Sequence, residues 1–129
     1  MKKTTEDWLI SAESDLHLIE VILKEENLTH LSAFHAQQAI EKCFKAVIEE
    51  FDIGIIKTHS LENLYSKVQN KIILKFNMDL LILLDQLYID ARYPGELGLL
   101  PNGKPSFLEA KEFIDCAKAI YDEAKLKCR

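Results

Sequence analysis

From about Leu31 to Phe51 the chain reads Leu-Ser-Ala-Phe-His-Ala-Gln-Gln-Ala-Ile-Glu-Lys-Cys-Phe-Lys-Ala-Val-Ile-Glu-Glu-Phe. Ala33, Ala36, Ile40, Cys43, Phe44, Val47 and Phe51 recur at the 3.6-residue period of a helix, so this side is expected to be buried. The opposite side carries Gln38, Glu41, Lys42, Lys45 and Glu49. Long polar side chains opposite a core form either a plainly solvated face or a binding surface, and the pattern alone leaves both open.

On either side of this helix the same period returns. Upstream, Thr4 or Thr5 is expected to cap a first helix, with Glu6 and Asp7 at the positive end of its dipole. Trp8, Leu9, Ala12, Leu16, Ile19, Ile22 and Leu23 form its apolar stripe until Asn27 breaks the pattern. Downstream, Gly54 closes the second helix or the turn after it, and Thr58-His59-Ser60 leads into a short third helix with Leu61, Leu64, Tyr65 and Val68 inward. Asn77 caps a fourth, through Leu80, Leu81, Leu84, Leu87, Tyr88 and Ala91, which stops before Pro94 because a residue preceding proline avoids the helical region. The stretch from Arg92 to Pro105 holds all three prolines and three of the four glycines, and a connection of that length tends to be functional or mobile. Ser106-Phe107-Leu108-Glu109 is a capping box opening the last helix, whose stripe is Ala110, Phe113, Ile114, Ala117, Ile120, Tyr121 and Ala124. No strand-like alternation intervenes. The expectation is all-α: an antiparallel up-and-down bundle of four long helices and one short one, in a single domain over residues 1–129.

Composition agrees and removes several functions. With 129 residues, 48% of them hydrophobic and 29% charged, the chain can bury one real core. No apolar run is long enough to span a membrane, and the acidic start Glu6-Asp7 is unlike a signal peptide, so a cytoplasmic location is expected. Cys43, Cys116 and Cys128 are odd in number and lack CxxC spacing, which reads as reduced thiols rather than a metal or redox pair. A formal charge of −5 argues against broad duplex DNA binding, so any nucleic-acid or nucleotide contact must be local. There is no Gly-rich phosphate loop, HExxH, GxSxG or acidic cluster at metal-ligand spacing, and neither a metal nor a cofactor is expected.

What remains is a small set of polar residues. His17 and His30 fall where a solvated or capping role suffices. His35 lies within a turn of Gln38 and Lys42, and His59 sits at the entry to the third helix, where capping alone would also explain Thr-His-Ser. Arg92, followed by Tyr93, is one of two arginines in a chain that otherwise uses lysine, and its planar fork suits bidentate phosphate or carboxylate binding. Alternatively Arg92 fixes the loop by pairing with a helix C-terminus or with a carboxylate such as Glu41.

Three of these segments, taken in order, resemble the HEPN family: Phe34-His35-Ala36-Gln37-Gln38-Ala39-Ile40-Glu41-Lys42-Cys43-Phe44-Lys45-Ala46, Thr58-His59-Ser60-Leu61-Glu62-Asn63-Leu64, and Ala91-Arg92-Tyr93-Pro94. The resemblance runs from the Asp15-Leu16 region to the final helix. It implies a four- or five-helix bundle, often a homodimer, and frequently the partner of a small nucleotidyltransferase in prokaryotic toxin–antitoxin pairs. Some members are metal-independent ribonucleases that use an arginine followed four to six residues later by a histidine. Here Arg92 is followed by Tyr93-Pro94-Gly95-Glu96-Leu97-Gly98-Leu99, and no histidine follows His59, so no catalytic residue is assigned. The Gln38-Ala39-Ile40-Glu41-Lys42 and Arg92-Tyr93-Pro94 motifs are similar to those of a subclass associated with nucleotide binding. The candidate site for a nucleotide or RNA phosphate is therefore Gln38, Glu41, Lys42, Lys45, His59, Arg92 and Tyr93. Lys42 and Lys45 would act as point charges oriented by Glu41, Arg92 as a bidentate contact and Tyr93 as a stacking platform. Rival readings are a ribonuclease toxin with a relocated histidine and a purely structural dimerisation or interaction domain.

Overall fold

The computed structural model describes residues 1–93 and 103–129. Most of the Pro94–Pro105 connection singled out in the sequence thus lies outside the described residues. Among those described there is no strand. The elements are α1 (Lys3–Ile22), a single 3-10 turn (Glu26–Leu28), α2 (Thr29–Glu50), α3 (Leu61–Val68), α4 (Met78–Arg92) and α5 (Phe107–Lys127). Four long helices and one short one form the all-α bundle.

The chain runs up and down. The start of α1 meets the end of α2, where the Lys2 amide donates to Glu50 Oε1 at 2.9 Å and Lys2 Nζ to the Glu49 carbonyl at 2.9 Å. This anchorage moves the helix start: α1 begins at Lys3 with Lys2 in the capping position, Thr5 is buried inside the first turn, and neither threonine is the expected cap. The other start signals act as read. Ser60 accepts from the Asn63 amide, Asn77 from the Asp79 amide, and Ser106 and Glu109 complete a reciprocal capping box.

α2 is the axis of the bundle, packing against α1, α3, α4 and α5. A helix surrounded on four sides cannot keep a simple solvated face, and Gln37 and Glu41 are buried along with Ile40, Phe44 and Val47. Glu41 therefore departs from its expected place on an exposed stripe. Phe51 departs the other way: it lies just beyond the helix end, 37% exposed, with the Lys71 ammonium 4.3 Å from its ring centroid. The core is one continuous cluster drawn from all five helices, with Phe44 and Phe113 its largest fully buried side chains. No helix of the described residues is long and apolar enough to cross a membrane.

Candidate functional site

Two buried carboxylates organise the polar strip inside the bundle. Glu41 lies one helical turn after Gln37 and one before Lys45, a spacing that stacks side chains on the same face. Its Oε2 is 2.9 Å from Lys45 Nζ, and its two oxygens are 3.1 and 3.2 Å from His59 Nδ1. An ionised carboxylate only accepts, so Nδ1 carries the proton, and in the neutral ring Nε2 is left as an acceptor. No described residue hydrogen-bonds that Nε2. Gln37 fixes the other end of the arrangement: its Nε2 donates to the His59 carbonyl at 2.8 Å and to Glu41 Oε1 at 3.2 Å, while Gln38 Nε2 donates to Gln37 Oε1 at 2.7 Å. Asp15 from α1 plays the corresponding part nearby, with Oδ1 2.9 Å from His35 Nδ1 and Oδ2 2.7 Å from Lys42 Nζ.

Tyr88 of α4 joins these groups. Its buried ring stacks on Phe34 at a centroid distance of 5.6 Å and lies 5.5 Å from the His59 ring. One turn later, the exposed Arg92 holds its guanidinium 5.7 Å from the Tyr88 centroid and donates from Nη1 to the Tyr88 hydroxyl at 3.2 Å. Cation–π stacking places the guanidinium without neutralising it. No described carboxylate lies in ion-pair range of Arg92, so the expected alternative, a pairing with Glu41, does not form.

Asp85 closes the floor. Its Oδ1 accepts from the Leu61 amide at 2.8 Å and its Oδ2 from the Glu62 amide and the Ser60 hydroxyl at 3.3 Å each, so a carboxylate of α4 sits on the amides that open α3. Burial pushes its carboxyl above the usual carboxylate range, opposed by those two amides and the hydroxyl. Together His59, Ser60, Asp85, Tyr88, Arg92 and Tyr93 line an open cleft of about 520 Å³. A larger groove of about 740 Å³ runs between α1 and α5, but charges there answer one another, Lys118 Nζ to Glu20 at 2.7 Å and the Tyr121 hydroxyl to Glu13 at 2.9 Å. Among the described residues, no three His, Cys, Asp or Glu side chains are grouped to hold a metal ion.

The HEPN domain model matches residues 5–127, nearly the whole chain. The chain belongs to the HEPN domain family. The crystal structure of an archaeal HEPN homologue superposes with a TM-score of 0.71 at 27% identity, covering 100% of both chains. Comparison with curated proteins finds no match.

Within this HEPN fold the sequence-derived candidates fall into two groups. His59, Arg92 and Tyr93 share the cleft and Glu41 holds His59 from behind, while Lys45, bound to the same carboxylate, does not line it. Lys42 is paired with Asp15, and Gln38 is engaged with Gln37, so neither lines that cleft. Sequence reasoning passed over Asp15, Gln37, Tyr88 and Asp85. Two carried a usable signal: Tyr88 stands one turn before Arg92, and Asp15 interrupts the apolar stripe between Ala12 and Leu16. Nothing local marks Asp85, whose partners lie 23 to 25 residues away, and the bond that ties Gln37 to the His59 carbonyl spans 22 residues.

Proposed function

We propose that this HEPN protein is a binding module for a phosphate-bearing nucleotide or RNA segment, seated in the cleft between His59 and Arg92. The observation that carries this reading is the state of Arg92: an exposed guanidinium, oriented by a buried tyrosine, with no described carboxylate spending its charge. A guanidinium so placed offers two parallel N–H donors to a phosphate, the geometry that arginine supplies and lysine does not. His59 adds a second polar contact across the Tyr88 ring, and Tyr93, 70% exposed, offers a stacking face for a base. The Asp85 carboxyl at this cleft is engaged by the amides opening α3 and by the Ser60 hydroxyl.

In keeping with the family, the module works as a homodimer beside a nucleotidyltransferase in a toxin–antitoxin-type pair. Co-purification from the native host with a nucleotidyltransferase tests that part. The ligand reading is tested by thermal shift with nucleotides and short RNAs: a ligand at about a hundred times its dissociation constant adds roughly 2.7 kcal/mol and raises the midpoint visibly. A wild-type shift that is lost in Arg92→Ala supports the assignment. Equal shifts in both remove Arg92 from the site.

The Glu41–His59 pair favours a second reading. A histidine held by a carboxylate at Nδ1 and open at Nε2 is arranged as a general base, and Arg92 across Tyr88 could neutralise a phosphorane. Analysis of the RNAs for cleavage, with His59→Ala as control, separates a relocated-histidine ribonuclease from a binding module.

A further inference from the structure

His59 belongs to two clefts, not one. A second opening of about 400 Å³ is lined by Trp8, Lys45, Glu49, Ile55, Lys57 and His59 among others, and shares only His59 with the first. Its chemistry repeats that of the first. Trp8 supplies a large aromatic surface with the Lys45 ammonium 5.5 Å from its ring centroid, and Ile55, 90% exposed, adds an apolar wall. Lys57 is exposed on the same rim, and no described carboxylate lies within ion-pair range of it. The imidazole between the clefts is 61% exposed, while Glu41, which holds both it and Lys45, is buried behind them.

Resting on the reading of the Arg92 cleft as a phosphate site, we infer that the ligand is at least two nucleotides long and crosses His59, with one unit in the Arg92–Tyr93 cleft and the next in the Trp8–Lys57 cleft. A single mononucleotide would leave one aromatic surface and one uncompensated cation unused. A single-stranded segment uses both, since each of its bases has a face to pack and each linkage a charge to meet. Lys57 is the phosphate contact that the second unit adds. Trp8 and Ile55 are its base platform.

Trp8 is the only tryptophan, so its emission reports on the second cleft alone. A base packed on the indole, or a phosphate drawing Lys45 from its face, changes that emission. The probes are adenosine 5′-monophosphate and the 5′-phosphorylated dinucleotide pApA, titrated into wild type and Lys57→Ala with parallel thermal shifts. The expected result is that pApA binds at least about tenfold tighter than the mononucleotide, the scale of one added stacking contact, and changes Trp8 emission while the mononucleotide does not. Lys57→Ala should bring pApA affinity down toward the mononucleotide's and leave mononucleotide affinity and melting temperature unchanged. Equal affinities for the two probes, or an unchanged Trp8 signal with pApA bound, would overturn the second subsite while leaving the Arg92 site standing. No thermal shift with either probe removes the reading on which it rests.

Discussion

Arg92 and Glu41 are both charged residues of the site, yet their energetic roles are opposite. Arg92 is exposed, and its hydrogen bond and cation–π contact among the described residues are both with Tyr88, so Arg92→Ala should leave stability within about 0.5 kcal/mol. The same change should weaken phosphate-ligand affinity by roughly tenfold or more, the scale of one charge-assisted hydrogen bond. Calorimetric titration and a melting curve on the same sample check both. Glu41 is 7% exposed and holds Lys45 and His59 while accepting from Gln37. Its removal leaves a half-buried ammonium without its counter-ion, and Glu41→Ala should cost about 3 kcal/mol, the low end for one partner of a buried pair. Chemical denaturation measures that directly. Arg92 was legible in the sequence as a rare arginine two residues before a proline. The burial of Glu41 was not, because helical periodicity separates two faces, whereas α2 is enclosed on four sides.

At the scale of elements, capping chemistry was the most transparent part of the sequence. Ser60, Asn77 and Ser106 all accept from the amides their positions predict, since a cap is a local interaction within three residues. α1 misleads for the opposite reason: its start is set by Lys2 reaching Glu49 and Glu50, a contact 47 or 48 residues away. The first turn of α2 carries a pH response. His30 has a buried Nδ1 with no hydrogen-bond partner among the described residues, and burial, aided by Lys104, holds its pKa below the usual 6.5. The folded state thus disfavours the imidazolium, which would also oppose the positive end of the α2 dipole. Above about pH 6.5 both states are neutral there and His30's contribution is fully present; as pH falls below that value the unfolded chain takes the proton first and stability drops. Denaturation midpoints followed from pH 8 to pH 5 should decline, and His30→Gln should remove part of that slope.

For the molecule as a whole, one core joins all five helices, and its cysteines belong to it. Cys43, Cys116 and Cys128 are all free and buried. Burial pushes the Cys128 thiol up to about 11 and the Cys116 thiol to about 12, and raises that of Cys43 further still. Since the thiolate is the reactive form, a disulfide exchange reagent should find essentially no reactive thiol in the native protein and all three in denaturant. Rapid native-state labelling would show that the core opens. Phe44→Ala, deleting a fully buried ring at the centre of α2, should cost about 3–5 kcal/mol. The bundle could be foreseen because amphipathic stripes alone specify it. The cleft could not, because His59, Tyr88 and Arg92 converge only after α2, the segment entering α3, and α4 have packed together. The same long-range assembly makes ligand binding the decisive property. A short single-stranded RNA should therefore be titrated calorimetrically into wild type and Arg92→Ala. Saturable binding to wild type, weakened about tenfold or more in the variant at unchanged melting temperature, is the expected result. No binding to wild type, or equal affinity in the two proteins, would contradict the placement of a phosphate site between His59 and Arg92.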